Sequence, residues 1–259
     1  MPGNFDAHLP MMQLFGLIGY PLTHSFSKEY FTQKFTGLGI AKTTRYELFP
    51  LLHIQEFPAL LQRQQPFLKG LNVTIPYKIS VMPFLSQLDD EAMQIGSVNT
   101  ITISTEGDTK GYNTDVYGFE QSLLPLLRDQ HRHALILGGG GAAKAVVFVL
   151  NKLNIGYTVV SRHPKQGQLS YQQLTADIMH QHLLIINTTP LGMYPNTGDY
   201  PPIPYQYADS RHLFYDLIYR PERTVFLQNA ARQGAVVKNG LEMLHLQAEC
   251  AWQIWNNPI

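Results

Sequence analysis

The sequence predicts an α/β protein whose second half is a doubly wound parallel sheet, and three observations carry that prediction. Short apolar runs alternate with stretches of helical periodicity along most of the 259 residues. A glycine run, Gly138–Gly141, stands between an apolar run and a helical one, where a phosphate-cradling turn would sit. Hydrophobic residues make up 44% and charged ones 15%, which suits one large α/β domain or two modest ones with real cores.

The first half opens with a strand, Leu14–Ile18, closed by the turn residues Gly19-Tyr20-Pro21. Phe31 and Phe35, four residues apart, predict a helix of about three turns. Thr44–Phe49 alternates as a second strand, and His53–Gln62 is helical in pattern around Pro58. Leu71, Val73 and Ile75 alternate with Asn72 and Thr74 until Pro76 ends the strand. Asn99–Ile103 and Lys110–Tyr112 flank Thr105–Asp108 as a hairpin.

After Arg128 the rhythm changes. Ala134–Leu137 is a strand, Ala142–Leu153 a helix and Tyr157–Val160 the next strand, a compact βαβ unit. Strands follow at Leu183–Ile186, Leu213–Tyr215 and Ala235–Val237, with helices near Tyr171–Met179 and Thr224–Arg232. Leu241–Trp255 is a last helix with Leu244, Ala248, Ala251 and Trp255 on one face. Domain limits are expected at residues 1–114 joined by 240–259, and at 115–239.

Several function classes drop out on composition. Nineteen basic residues balance nineteen acidic ones, so there is no electrostatic footprint for nucleic acid or an anionic membrane. A single cysteine, Cys250, excludes an internal disulfide and fits a reducing compartment. No apolar run nears the ~18–20 residues of a membrane span. Met1–Gln13 lacks the basic and apolar regions of a secretory signal. The pairs His131/His133 and His180/His182 come with no HExxH or Cys/His cluster. They read as surface residues, and no metal is expected. A cytoplasmic enzyme is the expectation.

Gly138-Gly139-Gly140-Gly141-Ala142 would let a backbone approach a dinucleotide pyrophosphate at a helix N-terminus. The alternative is a flexible turn. An NAD-binding sheet usually ends its second strand on an acid. Here that strand runs into Ser161-Arg162-His163-Pro164-Lys165. Arg162 and Lys165 suit a 2′-phosphate, so NADP is expected over NAD unless both are merely solvated cations.

Other polar residues carry paired readings. Asn72 and Thr74 share a strand face, and with Lys78 beyond Pro76 they suit a hydroxylated substrate or an ordinary solvent face. Ser25 and Ser27 open the first helix, as caps or as the holders of a substrate anion. Asp115, after Asn113 and Thr114, stands near another helix start, where capping is again the local alternative. Gln247 shares a face with Leu244 and Ala251, where its amide bonds either structure or ligand.

Taken together, these segments resemble the shikimate dehydrogenase family from Phe15 to Trp255. The matching pieces are Gly19–Ser27, Asn72–Lys78, Ser97–Thr100, Gly111–Asp115, Asn187–Met193, Tyr215–Tyr219 and Gly240–Gln247, in that order around the glycine loop. The resemblance implies an N-terminal α/β substrate domain plus a Rossmann-like doubly wound sheet, with the C-terminal helix returning to the first domain. It implies NADPH-dependent reduction of 3-dehydroshikimate to shikimate, a step toward chorismate and the aromatic amino acids. Lys78 and Asp115 are then the catalytic pair. Ser25 and Ser27 bind the carboxylate, and Asn72, Thr74, Asn99, Tyr219 and Gln247 hold ring substituents.

Cofactor contacts fall to Gly138, Gly140, Gly141, Ala142, Ser161, Arg162, Lys165, Thr188, Met193 and Gly240. Lys28 replaces a proline common after the second serine, and Ser161 and His163 depart from the usual residues around Arg162. Expected partners are the small-molecule substrate and NADP, without nucleic acid, membrane or metal, in a monomer or homodimer. The alternatives are a quinate or other cyclic hydroxy-acid dehydrogenase, and a non-catalytic NADP-binding regulator. Retention of both serines favours shikimate over quinate.

Overall fold

The computed structural model describes residues 12–22 and 25–257. Most of the Met1–Gln13 segment and His24 of the matching Gly19–Ser27 piece lie outside them. The chain divides into two compact units, Met1–Asn113 with Ala251–Ile259, and Thr114–Cys250. The second unit therefore keeps residues 240–250, which the sequence expectation gave to the first. Gly240 shows why: its N–H donates to the Ile218 carbonyl at 3.0 Å, and a Cβ there would lie 2.1 Å from the Leu217 oxygen.

In the first unit, β1 (Gln13–Gly19) lies between the parallel strands β2 (Thr44–Pro50) and β3 (Leu68–Val73). Beyond β3, β5 (Thr100–Ile103) and β6 (Thr109–Tyr112) run antiparallel, and β4 (Gln87–Leu88) forms the edge. Among the described residues the order is β2-β1-β3-β5-β6-β4. Helix α1 (Phe26–Gly37) buries Phe31 and Phe35, the pair whose spacing predicted it.

The helical pattern at His53 begins as a 3₁₀ turn and becomes α2 only at Phe57–Gln64. Pro58 sits in the first turn, where a missing N–H costs nothing. Helix α3 (Asp90–Ile95) was not foreseen, although Asp89 caps it and Gly96, at φ 66°, ends it.

The final residues of α8 (Leu241–Asn256) complete this core. Trp255 packs on Phe15 and Phe31, and its Nε1–H donates to the Ile101 carbonyl at 3.0 Å. A Cβ on Gly70 would sit 2.3 Å from the indole nitrogen, so glycine in mid-strand is the space that Trp255 fills. Along α8 the buried set is Met243, Ala248, Ala251 and Trp255, with Leu244 only half-buried.

The second unit holds β7 (His133–Leu137), β8 (Gly156–Val160), β9 (Leu184–Asn187), β10 (Leu213–Asp216) and β11 (Val236–Lys238). All pairings among them are parallel, in the order β11-β10-β9-β7-β8. Helices α4 (Thr114–Leu123), α5 (Gly141–Lys152), α6 (Ala176–Gln181) and α7 (Val225–Arg232) alternate with the strands. From β7 the chain moves to β8 on one side and then returns to β9 on the other. That reversal is the topological switch point, outside whose strand ends such sheets bind ligands.

The helix expected over Tyr171–Met179 breaks into a 3₁₀ turn, Tyr171–Gln173, and α6. Thr175 caps α6 by accepting from Ile178 N–H, so the cap residue restarts the helix. The surface reading of the histidines fails for His131, which is 5% exposed. Its Nδ1 accepts from Arg128 N–H at 3.1 Å, so Nε2 carries the proton and donates to the Arg211 carbonyl, also at 3.1 Å. Burial holds its pKa below the ordinary value. His182 is half-buried, while His133 and His180 are exposed. Among the described residues no helix is long and apolar enough to cross a membrane, and no three His, Cys, Asp or Glu gather as a metal site.

Candidate active site

At the switch point Gly138 takes φ 99°, a conformation that favours glycine. Its N–H donates to Val160 O at 2.8 Å. A Cβ there would lie 2.8 Å from Thr189 Cγ2 and 3.1 Å from Thr188 Oγ1. Thr188 donates its hydroxyl to Leu137 O at 2.8 Å, tying the end of β9 to the loop.

Gly140 and Gly141 differ in kind. Among the described residues nothing lies within 4 Å of a Cβ built on either, and no side chain caps the α5 N-terminus above them. Of the first-turn N–H groups, that of Ala143 turns back to the Gly140 carbonyl at 3.1 Å, while Gly141 and Ala142 are exposed. A pyrophosphate needs such a cradle, and these residues fit one.

Ser161 and Arg162 follow the end of β8. The turn that carries them is fixed by Ser161 N–H to Leu169 O at 2.9 Å and Lys165 N–H to Gln168 Oε1 at 3.1 Å. Arg162 and Lys165 are exposed on it. Met193 is 45% exposed just after Gly192, on the loop leaving β9. Gly240 acts here through its close backbone approach to Leu217.

Beneath these loops lies a buried group that sequence reasoning missed. Asp216 Oδ1 accepts from Asn187 Nδ2 at 3.0 Å and from Ile218 N–H at 3.1 Å, and Oδ2 accepts from the Thr224 hydroxyl at 2.6 Å. Asn187 Oδ1 in turn accepts from Thr189. One carboxyl thus links the loop after β9, the loop after β10 and the α7 cap. Burial pushes it up to about 6 in spite of its three donors. In the same unit Asp115 is 5% exposed in the first turn of α4. Tyr219 is half-buried, and burial raises its pKa. Gln247 packs where a Cβ on Gly118 would meet its Cγ at 2.7 Å.

In the first unit Ser25 is the N-cap of α1, its Oγ accepting from Lys28 N–H at 3.3 Å. Accepting through a lone pair leaves the hydroxyl hydrogen able to donate to an anion, so capping and anion binding are compatible. Ser27 lies in the first turn of α1, near the phenol of Tyr46 on β2. Tyr46 donates to Asn72 Oδ1 at 2.8 Å. Asn72 Nδ2 donates to Thr100 Oγ1 at 3.2 Å and Asn99 O at 3.4 Å. Thr100 donates to Asn99 Oδ1 at 3.2 Å. The β3–β5 register, which sets Asn72 opposite Thr100, makes this possible.

Thr74 continues from β3, its N–H bonded to Ile18 O at 2.9 Å. Lys78 is half-buried on the turn that follows. Its carbonyl accepts from Val98 N–H at 2.7 Å, and neighbouring Tyr77 donates to Leu51 O at 2.6 Å. Lys28, the departure beside the serines, pairs with Glu47 at 2.6 Å. Both are about half exposed, so the pair contributes little.

The structure thus joins Asn72 and Asn99 to each other and, through Asn72, to Tyr46, with Ser25, Ser27, Thr74 and Lys78 in the same unit. Asp115, Tyr219 and Gln247 belong to the other.

Comparison with known proteins agrees with these features. The model of the shikimate dehydrogenase substrate binding domain matches residues 17–101. A shikimate dehydrogenase (NADP(+)) of Methanococcus maripaludis strain C6 is 38% identical over 94% of this chain and 91% of its own. The shikimate 5-dehydrogenase of Thermus thermophilus, solved with NADP(H) and shikimate, superposes with a TM-score of 0.82. It is 28% identical, covering 94% of this chain and 93% of that one. The quinate dehydrogenase of Corynebacterium glutamicum, solved with NAD, gives 0.83 at 25% identity over 94% and 93%. With a relative this similar along nearly its whole length, the chain belongs to the shikimate dehydrogenase family.

Proposed function

We propose that this protein is an NADP-dependent shikimate dehydrogenase, reducing 3-dehydroshikimate to shikimate reversibly on the way to chorismate and the aromatic amino acids. The observation that carries the reading is the hydrogen-bonded chain from Tyr46 through Asn72 to Asn99, with Asn72 on the strand that leads into Thr74 and Lys78. Ser25 and Ser27 donate hydroxyl hydrogens to the substrate carboxylate at the α1 N-terminus, where the helix dipole favours an anion. Asn72, Thr74, Asn99, Tyr219 and Gln247 hold the ring substituents.

NADPH, when bound, supplies a hydride to the ketone carbon. Lys78 donates a proton to the carbonyl oxygen as negative charge develops on it, and its positive charge stabilises that oxygen. Asp115 supplies the carboxylate of the pair. Gly138, Gly140, Gly141 and Ala142 take the pyrophosphate, while Ser161, Arg162 and Lys165 take the 2′-phosphate end. Thr188, Met193 and Gly240 complete the cofactor side. The enzyme works in the cytoplasm as a monomer or homodimer.

Two features favour shikimate with NADP over quinate with NAD: both serines are present, and an arginine stands where an NAD site carries an acid. The test is reduction of NADP⁺ and NAD⁺ with shikimate and quinate side by side, followed by absorbance. Shikimate with NADP⁺ should give the highest kcat/KM of the four combinations. A higher value with quinate, or turnover of neither acid, would overturn the reading.

A further inference from the structure

Tyr46 matches no motif, yet it sits at the centre of the substrate-side network. It is 3% exposed, with its ring stacked on Phe31 at 4.7 Å and 15°. A buried phenol needs a hydrogen-bond partner, and here it is a residue assigned to the substrate, Asn72.

Donation from the phenol settles which way the Asn72 amide points. Oδ1 faces Tyr46, so Nδ2 faces Thr100 Oγ1 and the Asn99 carbonyl, and both amide hydrogens are used. Flipping the amide would set Oδ1 against the Asn99 carbonyl oxygen. Asn72 can therefore offer a substrate hydroxyl only the second lone pair of Oδ1.

We propose that Tyr46 is a positioning residue. It fixes Asn72 as a hydrogen-bond acceptor for a substrate hydroxyl. Affinity for the hydroxy acid then depends on the phenol, and affinity for the cofactor does not. This rests on the shikimate dehydrogenase reading.

Tyr46→Phe keeps the ring on Phe31 and deletes only the hydroxyl. KM for shikimate should rise roughly three- to tenfold, the size of one lost hydrogen bond. KM for NADP⁺ and kcat should stay within about twofold, inside the range of an unrelated surface change. In an Asn72→Ala background the same substitution should have little further effect on shikimate KM, because its route is gone. Thr100→Val removes the partner of the other amide edge, and should raise shikimate KM selectively even if Tyr46→Phe folds poorly.

A purely structural tyrosine would instead lower Tm, leave both KM values alone and act equally in either background; that pattern overturns the proposal. An active wild type whose Tyr46→Phe and Thr100→Val variants keep shikimate KM within about twofold overturns it alone. A wild type inert toward shikimate overturns the underlying reading as well.

Discussion

The two units build their polar surfaces from different atoms. In the second, main chain is exposed: among the described residues nothing lies within 4 Å of a Cβ built on Gly140 or Gly141, and the α5 N-cap is a glycine with no side chain to cap it. In the first, the polar groups are side chains, each oriented by another, from Tyr46 through Asn72 and Thr100 to Asn99. A main-chain cradle tolerates changes of residue type provided no Cβ intrudes. A side-chain network is vulnerable to loss of a single atom, because each hydrogen bond orients the next.

The largest expected effect tests whether the two surfaces act separately. Lys78→Met keeps most of the stem and deletes the charge. If Lys78 is the proton donor, kcat should fall ~10²–10⁴-fold, as for a lost general acid, more than KM rises. NADPH binding, followed by nicotinamide fluorescence, should persist because the Gly138–Gly141 loop lies in the other unit. Turnover within about threefold of wild type, far inside the range for a lost general acid, would remove Lys78 from the chemistry. Loss of NADPH binding would break the separation itself.

Asp216 extends the comparison below the surface, as a buried carboxyl at the end of β10 bonded to Asn187 and to the α7 cap Thr224. In the folded chain that carboxyl titrates at about 6, against 3.8 for the free group. A raised folded pKa stabilises the fold fully below 3.8, and the contribution is lost as pH rises through about 6. That gap is worth about 3 kcal/mol. Asp216→Asn keeps an oxygen for Asn187 and Ile218 and offers Thr224 a donor in place of an acceptor. The variant's unfolding free energy relative to wild type should therefore rise by about 2 kcal/mol between pH 4 and pH 7. Chemical denaturation at both pH values measures it, and a constant difference would show that Asp216 does not titrate in this way.

What could be read from the sequence follows the same division. The glycine loop was legible because its function is the absence of side chains, which a sequence states directly. The α/β alternation was legible because burial imposes the period. The substrate side came only through family resemblance, since Asn72 or Ser25 alone looks like any strand or cap residue. Tyr46 and Asp216 were invisible because their meaning lies in contacts far along the chain: Tyr46 reaches Asn72 26 residues away, and Asp216 reaches Asn187 29 away. His131 misled for a related reason. It stands in the polar run Asp129–Arg132, and its partner, the carbonyl of Arg211, lies 80 residues along the chain.

Arg162 is the exception that sharpens the comparison, a side chain assigned a binding task on the main-chain surface. Arg162→Glu should reduce the preference for NADPH over NADH roughly 10–100-fold, the worth of a charge-assisted phosphate contact. The ratio of kcat/KM values for the two cofactors, in wild type and variant, measures this. An unchanged ratio would move recognition of the 2′-phosphate away from Arg162.

The smallest effect belongs to Ser25, where cap and ligand roles meet in one hydroxyl. Its Oγ accepts from Lys28 N–H, so Ser25→Ala should cost about 1 kcal/mol of stability. Loss of the donated hydrogen should also raise shikimate KM. Alanine alone cannot apportion the two roles, because it removes both. Ser25→Asp can, since aspartate caps a helix as well as serine does but sets a negative charge where the carboxylate would bind. If Ser25 holds the substrate, the Asp variant should keep its Tm and show the larger KM defect of the two. Shikimate KM equal to wild type in the Asp variant, with Tm lowered only by alanine, would leave Ser25 a cap and shift the carboxylate to other donors.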